Sequence, residues 1–335
     1  MHCFYIFCRN FDAAYILTPL EITSLLFACL CHDLEHPGLG NSYQVNAQTD
    51  LAIFYNDCSV LENHHAAVGS ALLKHHCVWD ELDLRDRKSA RNIFVSSILA
   101  TDMSFHMTLT EDFGNVINNN FHRIRRLQEK GRIDLLVDLL KKNDTRSDRG
   151  LMPSDFKMRP GHELGTTIPH PERMIIMKTL LHAADINNCC KPFALSKVWS
   201  DRLVGEFFEQ GDREKQENLP VSANMDRNTT NQNELSVNFI DFIVAPLFSK
   251  MSRMLPKAKI TLQLLSDNRS EWMNRIYKDL EAEKQSPGSS KLNCVENAEE
   301  RWKSKQENFT QLINGVLNDP TCVVEESDDD HQETE

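Results

Sequence analysis

The chain has 335 residues, a hydrophobic fraction of 41% and a formal net charge of −12 at pH 7. This length allows one large domain or two smaller ones, and the hydrophobic fraction is sufficient for a substantial core. The negative charge argues against a nucleic-acid-binding surface, because such a surface needs clustered lysine and arginine. No basic segment followed by a short apolar core opens the sequence, so no signal peptide is predicted.

Ten cysteines are spaced irregularly along the chain. This pattern is typical of reduced cytosolic thiols rather than of a disulfide framework, so we expect a cytoplasmic location. Residues 13–31 form an apolar stretch that is long enough to suggest a membrane segment. Pro19 and Glu21 lie inside this stretch, and His32 and Asp33 follow it, so a buried helix is favoured over a membrane span.

The first strong helix signal is the segment TPLE. Thr18 is expected to be the N-cap, Pro19 the first helical residue and Glu21 the acid of a capping box. Apolar residues follow, and Pro37-Gly38 is expected to end the helix. His32, Asp33 and His36 would then share one face of its last turn.

The chemistry of these three side chains admits two interpretations. Imidazole and carboxylate together suit a zinc, manganese or iron ion, whereas carboxylate with water suits magnesium. The alternative is a helix end whose polar residues are solvated, and an HDxxH segment by itself does not decide between the two.

Polar residues recur at the ends of later apolar segments. Ser59 is expected to be an N-cap with Glu62 three residues later, Thr101 and Asp102 follow an apolar helix, and Asp185 ends another. Each of them alone fits a local hydrogen bond. Together, carboxylates and imidazoles at several helix ends favour a converging metal centre.

The rest of the chain supports an all-α fold, because nearly every strong segment has helical periodicity and no run shows sustained strand alternation. Residues 143–170 form a polar, proline- and glycine-containing loop. Beyond about residue 284 the composition becomes charged, with one possible helix over 298–317 and a final acidic tail. We therefore expect a domain over 1–283 and a charged C-terminal extension over 284–335.

Six segments, in this order, resemble signatures of the class I cyclic nucleotide phosphodiesterases: HDLEHPGLGNSY, SVLENHHAAV, ILATDMSFH, LLHAADINN, WSDRLVGEFFEQGDREK and FIDFIVAPLF. The resemblance extends from about residue 11 to residue 277. It implies a compact, multi-helix catalytic domain of the HD type with a binuclear metal site. The implied reaction is hydrolysis of cyclic AMP, cyclic GMP or both to the 5′-nucleotide.

The resemblance also implies roles for individual residues. The metal ligands would be His32, Asp33 and Asp185, with Asp33 bridging two divalent ions, zinc and magnesium, for which manganese can substitute. The residues that would hold metal waters and orient the nucleophile are His36, Glu62, Thr101 and Asp102. The residues that would line the nucleotide pocket are His65, Met103, Asn188, Leu203, Ser236 and Phe239. Of these, Leu203 and Phe239 would enclose the purine, a role that suits an aromatic ring.

Two positions in the segment SVNFID, residues 236–241, depart from the family pattern. Ser236 stands where the family has a glutamine that pairs with the purine edge, and Asn238 replaces a glycine. Serine is too short for a paired amide contact, although Gln232 offers an amide one helical turn earlier. The choice between cyclic AMP and cyclic GMP therefore stays open at this point.

The family also has an HNxxH motif, whose first histidine protonates the leaving O3′ and whose second binds metal. Aligning LTPLEI with the family places this motif ahead of Met1, and His2 lies at a different offset.

One interpretation is a catalytic domain whose N-terminal part is missing, and another is a relative that binds nucleotides or proteins without turnover. A third, a phosphohydrolase of other nucleotides, fits the metal residues but not EFFEQGD. The HD, LExHH and TD motifs and the second aspartate favour the first interpretation, and a homodimer is compatible with it.

We expect the chain that begins at Met1 to hydrolyse cyclic nucleotides only weakly, because losing a general acid costs roughly a hundredfold to ten-thousandfold in rate. The measurement is release of 5′-AMP and 5′-GMP by this chain and by a version preceded by an HNxxH segment, with zinc and magnesium added. Equal rates for the two proteins would contradict the role expected for the motif.

Overall fold

The computed structural model describes residues 1–143, 168–285 and 292–319, with side chains over 1–131, 168–282 and 298–319. Within these ranges the regular secondary structure is helical and contains no strand, which confirms the predicted all-α fold. Most of the predicted loop over 143–170 and the acidic tail lie outside the described residues.

The described ranges contain thirteen α-helices. They are α1 (His2–Arg9), α2 (Pro19–Cys31), α3 (Asn41–Asn46), α4 (Asp50–Phe54), α5 (Val60–His75), α6 (Leu84–Leu99), α7 (His106–Asn143), α8 (His170–Asp185), α9 (Phe193–Gln216), α10 (Gln232–Phe239), α11 (Ala245–Met254), α12 (Lys259–Gln285) and α13 (Leu292–Leu317).

The N-terminus of α2 has the predicted capping box. The Glu21 amide donates to Thr18 Oγ1 at 3.3 Å, and the Thr18 amide donates to Glu21 Oε2 at 2.8 Å. The C-terminus differs from the expectation, because α2 ends at Cys31 and not at Pro37. Residues 32–36 form a hydrogen-bonded turn in which Glu35 has a positive φ of 60°. His32, Asp33 and His36 therefore lie on this turn and do not share the last turn of a helix.

A buried ion pair joins α2 to α8 near their N-termini. Arg173 Nε lies 2.9 Å from Glu21 Oε1, and the two side chains are only 11% and 5% exposed. Eleven residues after Glu21 the chain reaches His32, and twelve residues after Arg173 it reaches Asp185. Since α-helices rise about 1.5 Å per residue, these near-equal lengths bring the ends of the two helices to the same level.

Close packing between α2 and α5 places the start of α5 beside the turn formed by residues 32–36. A Cβ atom at Gly69 of α5 would lie 2.9 Å from Cys31 Cβ and 2.7 Å from Phe94 Cζ, both closer than a real contact allows. Glycine is therefore required at this position for α5 to approach the last residue of α2.

The helix over α10 and α11 is interrupted by a π-helical segment, Ile240–Val244, in which the Ala245 amide donates to the Ile240 carbonyl. Pro246 follows directly and lacks the amide proton that a regular helix would need there. By length and composition the run Gln232–Met254 could cross a membrane, but half of its most apolar window is buried inside the protein. We therefore describe it as a core helix.

The C-terminal helix α13 packs against α11 and α12. Trp302 is fully buried, and Phe309, Ile313 and Val316 belong to the same hydrophobic core as α2 and α8. The helix predicted over 298–317 is thus present, and the core extends beyond the domain boundary predicted at residue 283.

Trp302→Ala tests whether α13 belongs to the folding unit. We expect it to lower the free energy of unfolding by about 3–5 kcal/mol, the usual cost of truncating a fully buried tryptophan. Trp199→Ala is the matched control, because Trp199 is 49% exposed. Urea denaturation of both variants is the measurement, and equal small losses would contradict the assignment of α13 to the core.

Candidate metal centre

Three side chains converge where α2 and α8 end. His32 Nε2 lies 3.1 Å from Asp185 Oδ1 and 3.4 Å from Asp33 Oδ2. One donor atom from each residue lies within 4.8 Å of the other two. The structure thus brings together the three residues predicted as metal ligands, and metal binding itself stays a prediction.

The imidazole of His32 has a defined orientation. Its Nδ1 lies 3.1 Å from the carbonyl oxygen of Cys29, so Nδ1 carries the proton and donates this hydrogen bond. In the neutral ring Nε2 is then the unprotonated nitrogen, and it faces the two carboxylates. Histidine ligands of metals commonly have this arrangement, in which a carbonyl fixes the tautomer and the ring orientation.

The electrostatics of this cluster favour a cation. Burial lowers the pKa of His32, but the hydrogen bond and charge of Asp185, with a further contribution from Asp33, outweigh burial and raise the pKa overall. The same field that attracts a proton attracts a divalent ion. One imidazole and two carboxylates form a donor set that fits zinc, manganese or iron.

A second group of polar residues lies at the start of α5, where the predicted capping box is absent. Ser59 precedes the helix with a left-handed backbone, φ 40°, and its hydroxyl lies 2.7 Å from Asp102 Oδ2. Glu62 Oε2 instead accepts a hydrogen bond from Asn41 Nδ2 at 2.9 Å. Burial raises the pKa of Glu62, although the Asn41 hydrogen bond opposes this shift.

Thr101 and Asp102 lie between α6 and a short 3₁₀ turn, Met103–Phe105. Asp102 is 8% exposed and accepts hydrogen bonds from Ser59 and from the Ser104 amide at 2.8 Å. The Thr101 hydroxyl donates to the Ile98 carbonyl at 2.7 Å. Both oxygens of the Asp102 carboxylate therefore accept a hydrogen bond. The Thr101 hydroxyl instead bonds to a carbonyl in the last turn of α6.

His36 and His65 stack with ring centroids 5.8 Å apart and an interplanar angle of 28°. His65 Nδ1 donates to the Leu34 carbonyl at 2.6 Å, and burial lowers the pKa of His65. His36 Nδ1 accepts from the Gly38 amide at 3.1 Å, which places the proton of the neutral ring on Nε2. His36 thus offers a donor, and His65 an acceptor, at its remaining nitrogen.

The predicted nucleotide-pocket residues lie on several elements. Met103 is exposed after α6, Asn188 is half-buried in a 3₁₀ turn after α8, and Leu203 on α9 is 38% exposed. Ser236 and Phe239 are half-buried on α10. In the part of the chain that the structure describes, no hydrogen bond connects these five side chains to the three predicted ligands.

The amide of Gln232 is already used within the fold. Its Nε2 donates to Ser200 Oγ at 3.1 Å and to Asp201 Oδ1 at 2.8 Å. The Ser200 hydroxyl also lies 3.1 Å from the Ser236 hydroxyl. Gln232 therefore joins α10 to α9 through its amide nitrogen.

His182 lies one turn before Asp185 on α8 but faces the core. It is fully buried, and its Nε2 lies 2.9 Å from Nδ1 of His106 on α7. Burial lowers the pKa of His182 to about 4, and the nearby His106 adds to this effect. The pair therefore consists of two neutral rings, one donating to the other.

Sequence reasoning missed three supporting groups: Asn41, which holds Glu62; Ser59, which holds Asp102; and the Cys29 carbonyl, which orients His32. Asn41 stands inside the quoted HDLEHPGLGNSY segment, but nothing local marks its partner. Ser59 has the residue type of an N-cap, so its sequence context points to the wrong bond.

The fold and the cluster together define an all-α domain with a candidate divalent-metal centre between two helix ends. The 3′5′-cyclic nucleotide phosphodiesterase family matches residues 1–265. This chain therefore belongs to that family, as the motifs predict.

Individual relatives agree with this assignment. The mouse (Mus musculus) 3′,5′-cyclic-AMP phosphodiesterase 4C is 34% identical over 264 residues. The Dictyostelium discoideum 3′,5′-cyclic-nucleotide phosphodiesterase regA is 35% identical over 281 residues. These matches cover 78% and 83% of this chain but only 33% and 30% of the two relatives. The chain thus spans about a third of their length.

A solved structure supports the fold independently. The phosphodiesterase domain of the RhoPDE fusion protein from the choanoflagellate Salpingoeca rosetta superimposes with a TM-score of 0.65 at 28% sequence identity. The superposition covers 83% of this chain and 76% of that domain.

Asp33→Ala and Glu62→Ala separate direct ligands from supporting residues. We expect Asp33→Ala to remove most of the bound metal, whereas a supporting residue typically costs about tenfold to a hundredfold in metal affinity. The exposed Asp112 supplies the control variant Asp112→Ala. Elemental analysis at limiting zinc is the measurement, and equal metal loss in Asp33→Ala and Glu62→Ala would contradict the assignment.

The His106–His182 pair predicts a stability change with pH. The pKa of His182 is lower in the folded protein than in the unfolded chain, so its contribution is present above pH ~6.5 and is lost as the pH falls towards 4. Between pH 7.5 and 5, wild type should lose about 1–2 kcal/mol more unfolding free energy than His182→Asn. Urea denaturation with chelator at both pH values is the measurement, and parallel losses would contradict a buried neutral pair.

Proposed function

We propose that this chain hydrolyses 3′,5′-cyclic nucleotides to 5′-nucleotides. The observation that carries the proposal is the convergence of His32, Asp33 and Asp185 at the ends of α2 and α8. Membership of the cyclic nucleotide phosphodiesterase family supports it, because the three residues lie in the segments that carry the family resemblance.

The proposed cofactors are two divalent ions, zinc in the tighter site and magnesium in the looser one, for which manganese can substitute. His32, Asp33 and Asp185 would hold the first ion, and Asp33 would also contact the second. When bound, such a pair of ions lowers the pKa of a water molecule and stabilises charge on the attacking and leaving oxygens.

The surrounding side chains have complementary proton-transfer roles in this proposal. Glu62, with its raised pKa, and the doubly held Asp102 would orient water through their carboxylates. Thr101 would act beside Asp102. His36 would donate from Nε2, and neutral His65 would accept at Nε2 near the substrate. The two histidine roles are based on which ring nitrogen each backbone partner occupies.

The proposed substrates are cyclic AMP and cyclic GMP. Leu203 and Phe239 would enclose the purine, with Met103 and Asn188 at the pocket wall. The Ser236 hydroxyl can both donate and accept a hydrogen bond, so it does not distinguish the adenine edge from the guanine edge. A relative named for cyclic AMP supports that nucleotide as one of the two substrates.

The proposed location is the cytoplasm, and the proposed assembly is a homodimer. The described cysteines carry free thiols, which agrees with a reducing compartment. Light scattering of the purified chain measures the assembly.

The test of function is a single-turnover assay at high protein concentration, with zinc and magnesium added. We expect 5′-nucleotide release from both substrates, and loss of release in Asp33→Asn, which keeps the volume of the side chain but not its charge. Asp112→Asn is the matched control on an exposed helix face. Chelation should abolish release, and zinc with magnesium should restore it.

Two other outcomes would overturn the proposal. Nucleotide binding without hydrolysis, in a folded and metal-loaded protein, would support the alternative of a binding or interaction protein. Release that persists in Asp33→Asn would show that the centre at α2 and α8 does not carry the reaction.

A further inference from the structure

The C-terminal helix α13 contacts α10, the helix that carries Ser236 and Phe239. Lys305 Nζ donates to Asn238 Oδ1 at 2.7 Å. One turn earlier on α13, Arg301 lies 3.4 Å from Glu234 at an exposed position. These contacts join residues that are separated by 67 positions in the sequence.

The amine of Lys305 is held in place on both sides. It lies 4.3 Å from the ring centroid of Trp302 on its own helix and 5.3 Å from that of Phe242 in the π-helical segment. Lysine ammonium groups are attracted to aromatic faces at such distances. Lys305 is half-buried, so its bond to Asn238 is partly shielded from solvent.

A second connection from α13 reaches the same segment through Arg269 of α12. Arg269 is 1% exposed and binds Asp241 through two bonds, Nε to Oδ1 at 2.6 Å and Nη2 to Oδ2 at 2.9 Å. Its remaining nitrogen, Nη1, donates to Gln306 of α13. The centroid of the Phe309 ring lies 4.7 Å from Cζ of the Arg269 guanidinium.

These two connections end on both sides of Phe239. Asn238 precedes it, and Asp241 follows it by two residues, inside the π-helical segment. π-helical turns are rare and occur mostly as single turns inside α-helices, frequently at functional sites. The residues on both sides of Phe239 are therefore bonded to partners outside α10, on α12 and α13.

We propose that α13 is a positioning element of the nucleotide pocket, in which Lys305 and Gln306 hold the residues on both sides of Phe239. The inference rests on the proposed function, because it takes Phe239 as the wall that packs against the purine. Lys305 is a positioning residue and does not itself contact the nucleotide.

The proposal predicts a specific kinetic pattern. A displaced wall weakens contact with the purine equally in the ground state and the transition state, since the reacting phosphate lies elsewhere. Such a change raises KM and leaves kcat nearly unchanged.

Lys305→Met removes the donor and keeps the length of the side chain. We expect KM to rise about threefold to tenfold, the loss of one aromatic packing contact, with kcat changed less than about twofold. Lys303→Met is the matched control, because Lys303 lies exposed on the same helix. Lys305→Arg should restore KM in part, because arginine keeps the charge and the donor.

A double-mutant cycle with Asn238→Ala isolates the contact. Asn238→Ala should raise KM as Lys305→Met does, and the double variant should be no worse than either single one. Additive effects would mean that the two residues act independently and would overturn the proposal.

Hydrogen exchange of the amides over 237–244 gives a readout that does not depend on turnover. We expect faster exchange in Lys305→Met than in Lys303→Met. Unchanged exchange and KM in an active protein would overturn the role of α13 while leaving the proposed function intact. Absence of both binding and hydrolysis in wild type would instead count against the proposed function.

Discussion

The buried ion pair between Glu21 and Arg173 is the constraint on which the arrangement of the centre depends. It fixes the starts of α2 and α8 against each other, and nearly equal helical lengths then bring His32 and Asp185 together. Removing one partner would leave an unpaired buried charge, which typically costs about 3–5 kcal/mol. The packing of α5 at Gly69 adds the third side of this framework.

Electrostatics and hydrogen bonding prepare the centre for a cation. The Cys29 carbonyl sets the tautomer of His32, and Asp33 and Asp185 raise its pKa despite burial. Around it, Asn41 and Ser59 fix the carboxylates of Glu62 and Asp102. Each carboxylate thus has a hydrogen-bond partner within the fold that helps to define its orientation.

Short sequence motifs predicted the features that depend on interactions between residues close in the sequence. The capping box of Thr18 and Glu21 formed as expected, because both partners lie within one helical turn. The same reasoning failed at Ser59 and Glu62, where partners distant in sequence compete successfully for both side chains. It failed also at the end of α2, where the chain leaves the helix at His32, five residues before the proline that was expected to end it.

The sequence by itself determined the all-α architecture and the family, and it singled out the three side chains that converge where α2 and α8 end, because periodicity, caps and motifs are read within short windows. Only the tertiary structure decided how His32 is oriented, that His182 faces the core, that Gln232 is bonded to α9, and that α13 contacts the segment around Phe239. The physical reason is that each of these features is a competition between hydrogen-bond partners on different helices. Its outcome depends on distances that packing sets and that no short window of residues contains.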